Sequence, residues 1–238
     1  MPYRRLPNTD KARFRALRQA IERSENMEFG KQVISFKSLH EARTFLNVFE
    51  QQSIMYNQAH ESQVSASKRY QQIVSMARLY VSHFIQVFNL SVIRGEIKKE
   101  HKLFYQLDPD VHTVPDLSSE KALLYWGKSI IDGENERLRN GGSPIYNPQI
   151  AKVKVHYEMF KEYQQTQKIH RNTTNRNWEE LVKLRAKADE ILLDIWNQVE
   201  DYFKDESPYW RVEKCREYGL IYYYRKGEKE LTPDDDAQ

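Results

Sequence analysis

The 238-residue chain contains one cysteine, Cys215, which excludes an internal disulfide and a zinc site built from several thiolates. No stretch of 18 consecutive apolar residues occurs, so no segment reads as a transmembrane helix. Glycine and proline are scarce, at eight each, which argues against a turn-rich sandwich or barrel. A surplus of one charge sign is also missing. The 37 Lys and Arg nearly balance 34 Asp and Glu, so the chain lacks the global basic field of a nucleic-acid binder. The opening Met-Pro-Tyr-Arg-Arg-Leu-Pro has no apolar core of a secretory signal, and with the single thiol this sets a cytoplasmic expectation.

Catalytic signatures are equally sparse. None of the seven histidines has a Glu three residues before it, and no His-Glu-x-x-His occurs, so neither a di-iron bundle nor a zinc protease site is read. Asp108-Pro-Asp110-Val-His112 lacks the Gly and Glu of a calcium loop, with Thr113 and Ser119 at those places. Gly141-Gly142 is not followed by the Lys-Ser/Thr of a phosphate loop. Cys215 lies between Lys214 and Arg216, whose charges would lower a thiol pKa, yet no partner histidine is defined. No catalytic, cofactor-binding or metal-ligating residue is assigned, no cofactor is expected, and the chain reads as a non-enzyme.

What is abundant is helix patterning. Charged residues make up 30% and aromatic residues 12%, too many aromatics for a disordered chain. Two long runs space their seam residues alternately by three and four. The first contains Leu39, Ala42, Leu46, Phe49, Tyr56, His60, Gln63, Ser67, Tyr70, Val74, Ala77, Val81, Phe84 and Phe88. The second contains Ile150, Val153, Tyr157, Phe160, Gln167, Arg171, Thr174, Trp178, Leu181, Ala188, Leu192, Ile195 and Val199. Each keeps phase for 50 residues without Gly or Pro. Both have polar centres, and His60, Gln63, Ser67, Gln167, Arg171 and Thr174 form a candidate polar seam that sets register or receives a ligand.

The expected fold is all-α: two long antiparallel heptad helices with short accessory helices and one small two-stranded sheet. A four-helix bundle results if the runs break near residues 62 and 172, which the turn-like Arg171-Asn-Thr-Thr-Asn175 would favour. Matching the run ends places Tyr56 near Arg185, Tyr70 near Arg171, Gln63 near Trp178 and Ser67 near Thr174. Helix starts are expected within Pro7-Asn8-Thr9-Asp10, at Ser38 through a capping box with Glu41, at Ser118 or Ser119, at Asn147-Pro148 with proline at N1, and at Ser207-Pro208. Phe29-Gly30 is expected to close the first helix, and a short helix is expected over residues 96–105. Val33–Phe36 and Leu220–Tyr224 are the strand candidates, expected to pair with each other. Residues 1–230 are expected to form a single helical domain, with residues 231–238 a disordered acidic tail.

The Arg-rich start supplies Arg4, Arg5, Arg13, Arg15 and Arg18 as candidate phosphate contacts, against the ordinary reading of a solvated helix face. Four segments carry a likeness to known proteins: Tyr-Arg-Arg-Leu-Pro-Asn-Thr-Asp-Lys-Ala-Arg (3–13), Tyr-Val-Ser-His-Phe-Ile-Gln-Val-Phe-Asn (80–89), Gly-Gly-Ser-Pro-Ile-Tyr-Asn-Pro (141–148) and Glu-Tyr-Gly-Leu-Ile-Tyr-Tyr-Tyr-Arg (217–225). Together they resemble an uncharacterised family of helical proteins from Bacteroides-type bacteria. The resemblance spans most of the chain, implies a bacterial, free-standing protein, and brings no activity with it. The expected role is a helical scaffold or protein-interaction protein, with protein partners that include a second copy of the chain. The alternative is a nucleic-acid-associated protein using the basic N-terminal helix. No membrane partner is expected.

Overall fold

The computed structural model describes residues 2–27 and 32–233 and divides into two compact units, one within residues 1–59 and 174–238, the other within 60–173. The elements in chain order are β1 (Tyr3–Arg4), α1 (Asp10–Glu25), α2 (Phe36–Ile93), a 3-10 helix (Lys99–Tyr105), α3 (Glu120–Arg139), α4 (Ile150–Tyr202), α5 (Pro208–Glu217) and β2 (Tyr222–Tyr223). Both long runs are single helices, of 58 and 53 residues. The turn-like 171–175 segment stays helical because its hydroxyls find acceptors without a turn. Thr173 Oγ1 donates back to Ile169 O at 3.0 Å, and Thr174 Oγ1 donates to Ala59 O at 3.2 Å. The break near residues 62 and 172 is therefore not present.

The helix ends follow their caps with some displacements. Thr9 caps α1 by accepting from the Ala12 amide at 3.2 Å, and Ser119 caps α3 by accepting from Ala122 at 3.1 Å. α1 ends at Glu25, where the Asn26 amide bonds to Glu22 O, and the expected stop at Phe29-Gly30 lies outside the described residues, as does the Asp234–Asp236 run. α2 begins at Phe36, three residues before the Leu39 start that a Ser38 cap would give. Ser35 Oγ accepts from the Ser38 amide at 3.2 Å, which releases the Ser38 hydroxyl to donate to Asp194 at 2.6 Å. Pro148 is not at N1 of α4: Asn147-Pro148 is a cis turn, and the first helical amides, Lys152 and Val153, bond to Gln149 O. Proline does open α5, and the short helix expected over 96–105 is the 3-10 helix.

In the first unit, the core gathers Leu17, Ala20, Leu46, Leu192, Ile195, Trp196, Val199 and Cys215 from α1, α2, α4 and α5, with Ile34 just before α2 and Tyr218 just after α5. Here β2 pairs antiparallel with β1, Tyr3 opposite Tyr223, and the Arg5 amide extends the ladder to Ile221 O at 3.0 Å. This corrects the expected partner. Val33 and Ile34 are buried in the turn leading into α2, where Ser35 already starts the helix and no ladder is left to make. Gly219 carries φ +84, and a Cβ there would lie 2.8 Å from Ala16 O, so glycine is what lets the end of α5 rest on α1. In the second unit, Phe84, Ile85, Phe88, Tyr105, Leu123, Ile130, Val153 and Phe160 form the core.

Within each unit α2 and α4 run antiparallel, but about two helical turns from the register obtained by matching ends. In the first unit Gln52 bonds to Asn177 O at 3.0 Å and the Tyr56 ring lies 5.6 Å from that of Trp178, the ring on which Arg185, its expected neighbour, also sits. In the second, Tyr70 stacks on Phe160 at 6.2 Å, not beside Arg171. A heptad pattern repeats after every seven residues, so sliding by two turns keeps the seam matched. The accessory segments decide. The Ser35 amide donates to Gln198 Oε1 at 2.7 Å near the end of α4, while Tyr105 of the 3-10 helix packs 4.4 Å from Phe88 near the end of α2.

Candidate functional site

In the second unit the polar stretch of α2 and α4 encloses an open cleft of about 480 Å³. Its chemistry is mixed. Ser62 Oγ and His170 Nδ1 are 3.3 Å apart, and the Arg69 guanidinium lies 4.9 Å over the Tyr163 ring. Glu162 supplies a carboxylate on the rim, and the buried Gln167 amide oxygen accepts no hydrogen bond among the described residues. Below the cleft Gln164 donates to Glu120 at 2.8 Å. Burial, and then the neighbouring Glu120 carboxylate, push the Tyr70 phenol above its ordinary value.

Of the expected seam residues only Gln167 lines this cleft. His60 and Arg171 are exposed, Gln63 and Ser67 are half-buried, and Thr174, buried, belongs to the first unit. The cleft residues that the heptad reading misses (Ser62, Ser65, Arg69, Glu162, Thr166 and His170) flank the seam positions. The Arg69–Tyr163 pair emerges only once the two-turn shift is known.

The N-terminal arginines are mostly engaged within the first unit. Arg13 makes a two-pronged pair with Asp189 at 2.8 and 2.9 Å, and Arg185 makes the same kind of pair with Asp10 at 2.8 Å, so the first turn of α1 is docked onto α4. Arg185 also sits 4.5 Å over the Trp178 ring. Arg4 pairs with Glu200 at 2.9 Å and Arg18 with Glu50 at 2.6 Å. Arg5 lies over the Tyr223 ring at 5.8 Å, and Arg15 is exposed.

The deepest polar constellation was not legible as a site. On α3 the buried stripe Leu123, Gly127, Ile130 continues at the same spacing onto Glu134 and Arg137, each 1% exposed. Arg137 donates to both Glu134 oxygens at 2.8 and 2.9 Å, to the Tyr105 hydroxyl at 2.8 Å and to Ser143 O at 2.7 Å, while Tyr105 donates to Glu134. Burial, then the Glu134 carboxylate, hold the Tyr105 phenol far above its ordinary range. Nearby, the fully buried Lys102 ammonium donates to Val111 O at 2.7 Å and lies 3.0 Å from His112 Nδ1. Burial lowers its pKa against the opposing pull of Asp108 and Asp110. These groups answer one another and the carbonyls of adjoining loops, so they pin residues 106–118 and 141–145 onto the helices.

Cys215 is fully buried, and burial raises its thiol pKa against the opposing pull of a hydrogen bond with Tyr222 and of Arg211, which leaves it a poor nucleophile. Among the described residues no group of three or more His, Cys, Asp or Glu side chains is placed to hold a metal ion, and no helix is long and apolar enough to cross a membrane. Comparisons with protein-family models, with curated proteins and with solved structures returned no match.

Proposed function

We propose that this chain is a helical scaffold that binds other proteins and performs no catalytic chemistry of its own. The observation that carries this reading is the outer surface of the two long helices. In a chain with 30% charged residues, Ile54 and Met55 in the first unit and Leu79, Val155 and Ile169 in the second stand more than half exposed. Helices presenting apolar side chains to solvent at several places fit protein contact better than a single small-molecule site. The deeply buried charged groups support the same reading, because they are consumed in holding loops. A lone buried thiol is in keeping with a reducing, cytoplasmic setting. A nucleic-acid role draws on fewer cations than the sequence offers, since Arg4, Arg13 and Arg18 are ion-paired. In-cell photocrosslinking from Ile54 and Ile169 tests the proposal. Discrete protein adducts are expected. Adducts to nucleic acid, or saturable turnover of a small molecule, would contradict it.

A further inference from the structure

The outer face of α2 in the second unit has a pattern of its own. Met76, Leu79, His83, Gln86, Leu90 and Ile93 follow one another in steps of three, four, three, four and three. They lie opposite the buried row Ala77, Val81, Phe84 and Phe88, so they form a second heptad stripe on a helix whose first stripe is already packed. Its apolar members are open to solvent: Met76 is 40% exposed, Leu79 57%, Leu90 52% and Ile93 60%. Between Arg69 and Arg94 the only charged side chain is Arg78, and its guanidinium is engaged with Leu117 O and Ser118 O at 2.8 Å each. A surface helix face with no charge over more than five turns is the composition of an interface core.

The stripe also reads the same in both directions: two apolar residues, two polar, two apolar, with the same spacing from either end. We infer that this face pairs with a second copy of the chain, antiparallel about a two-fold axis between His83 and Gln86. This rests on the scaffold reading above and names one partner. The symmetry places Met76 against Ile93 of the second copy, Leu79 against Leu90, and His83 against Gln86, which is how the two seam positions meet in antiparallel coiled coils. The central imidazole–amide pair fixes the register, since sliding by one heptad would strand both polar groups against apolar side chains, one on a leucine and the other on Met76 or Ile93. No like charges oppose one another, because the neighbouring Gln72, Ser75 and Ser82 are neutral. A lipid surface is the poorer fit, for an interfacial helix needs cations beside its apolar face. The four apolar side chains offer on the order of 400 Å² per copy, the scale of a patch that marks a contact. Two such faces make about 800 Å² of apolar contact, the size of a weak, reversible interface, so a dissociation constant no tighter than micromolar is expected.

Sedimentation velocity of the full chain from low to high micromolar concentration tests this directly. The 28.5 kDa species should convert reversibly to a dimer. Leu79→Glu should weaken association at least tenfold, and adding Leu90→Lys to the same chain should restore it, because each Glu then meets a Lys of the other copy. These side chains are exposed, so circular dichroism should be unchanged in every variant. Register is read by oxidising cysteine variants. Leu79→Cys with Leu90→Cys should crosslink two copies, whereas Leu79→Cys alone should not, its symmetry mate lying about 16 Å along the helix. A wild-type chain that stays monomeric throughout overturns the inference, as does equal crosslinking by the single variant, or a monomer whose stripe binds phosphatidylcholine–phosphatidylserine vesicles. If the monomer still forms protein photoadducts from Ile54, the self-pairing fails while the scaffold reading stands.

Discussion

Replacing Arg137 by methionine should unfasten the second unit. The substitution keeps most of the side-chain volume but removes every donor on the guanidinium. Glu134, 1% exposed, is then left with the Tyr105 hydroxyl and the Ile145 amide, the latter at 3.5 Å. Breaking a buried ion pair from one side costs about 3–5 kcal/mol, because the remaining charge stays desolvated. The bond to Ser143 O is lost as well, which frees the chain between α3 and α4. For a unit of this size that loss corresponds to a fall in melting temperature of about 10–25 °C. Replacing both partners, Glu134→Leu with Arg137→Met, removes the stranded charge and should recover at least half of the loss. The readout is built into the sequence. Of the four tryptophans, Trp126 alone lies within residues 60–173, so fluorine NMR of 5-fluorotryptophan protein follows this unit separately from Trp178, Trp196 and Trp210. A single variant within about 1 kcal/mol of wild type, or a double variant as unstable as the single, would refute the view that this pair pins the unit.

Alkaline pH should destabilise the fold more than a solvent-exposed set of tyrosines would. Burial first, and then Glu134 for Tyr105 and Glu200 for Tyr222, hold both phenols above their usual 10.0. The unfolded chain releases those protons near pH 10 while the folded chain keeps them. Their contribution is therefore full below pH 10 and is lost as pH rises beyond it. Ultraviolet titration should show the two phenols ionising only on unfolding, and native ionisation near pH 10 would contradict this. Gly219→Ala should cost about 2–4 kcal/mol in urea titration of the first unit, from the left-handed backbone together with the contact on Ala16 O; an unchanged midpoint would show that α5 adjusts freely. Thr174→Val should change stability by less than about 1 kcal/mol, since it removes the neutral hydrogen bond to Ala59 O and retains most of the side-chain volume. A larger loss would make Thr174 part of a cooperative network.

Much of the architecture is local and was therefore readable. The absence of Gly and Pro within the two runs, together with unbroken heptad phase, favoured both long helices over the four-helix alternative, and the cap residues at Pro7–Asp10 and Ser118–Ser119 announced two helix starts. Ser38 misled because a Ser-x-x-Glu box also occurs one turn inside a helix that Ser35 already caps. Val33–Phe36 looked like a strand because short apolar runs fit a buried turn equally well, and only tertiary contacts show that Tyr222 and Tyr223 pair with Tyr3 and Arg4. Register was illegible for a physical reason: seven-residue repeats are degenerate under translation, and it is the turn before α2 and the 3-10 helix that break the tie. That degeneracy also hid the cleft, because Arg69 and Tyr163 meet only after the shift. Glu134 and Arg137 could have been found by extending the Leu123–Gly127–Ile130 stripe one further turn, where polar residues at core positions announce a buried pair.

The scaffold reading depends above all on the polar middle of each long run being unbroken helix and not a hinge. Amide hydrogen exchange resolved by residue across 57–66 and 168–177 measures this. Unbroken helices predict continuous protection through both windows, with Asn172 to Asn175 exchanging no faster than the helical residues on either side. Rapid exchange confined to those windows would mean that the chain turns there, and would contradict both the continuous helices and the surfaces they present.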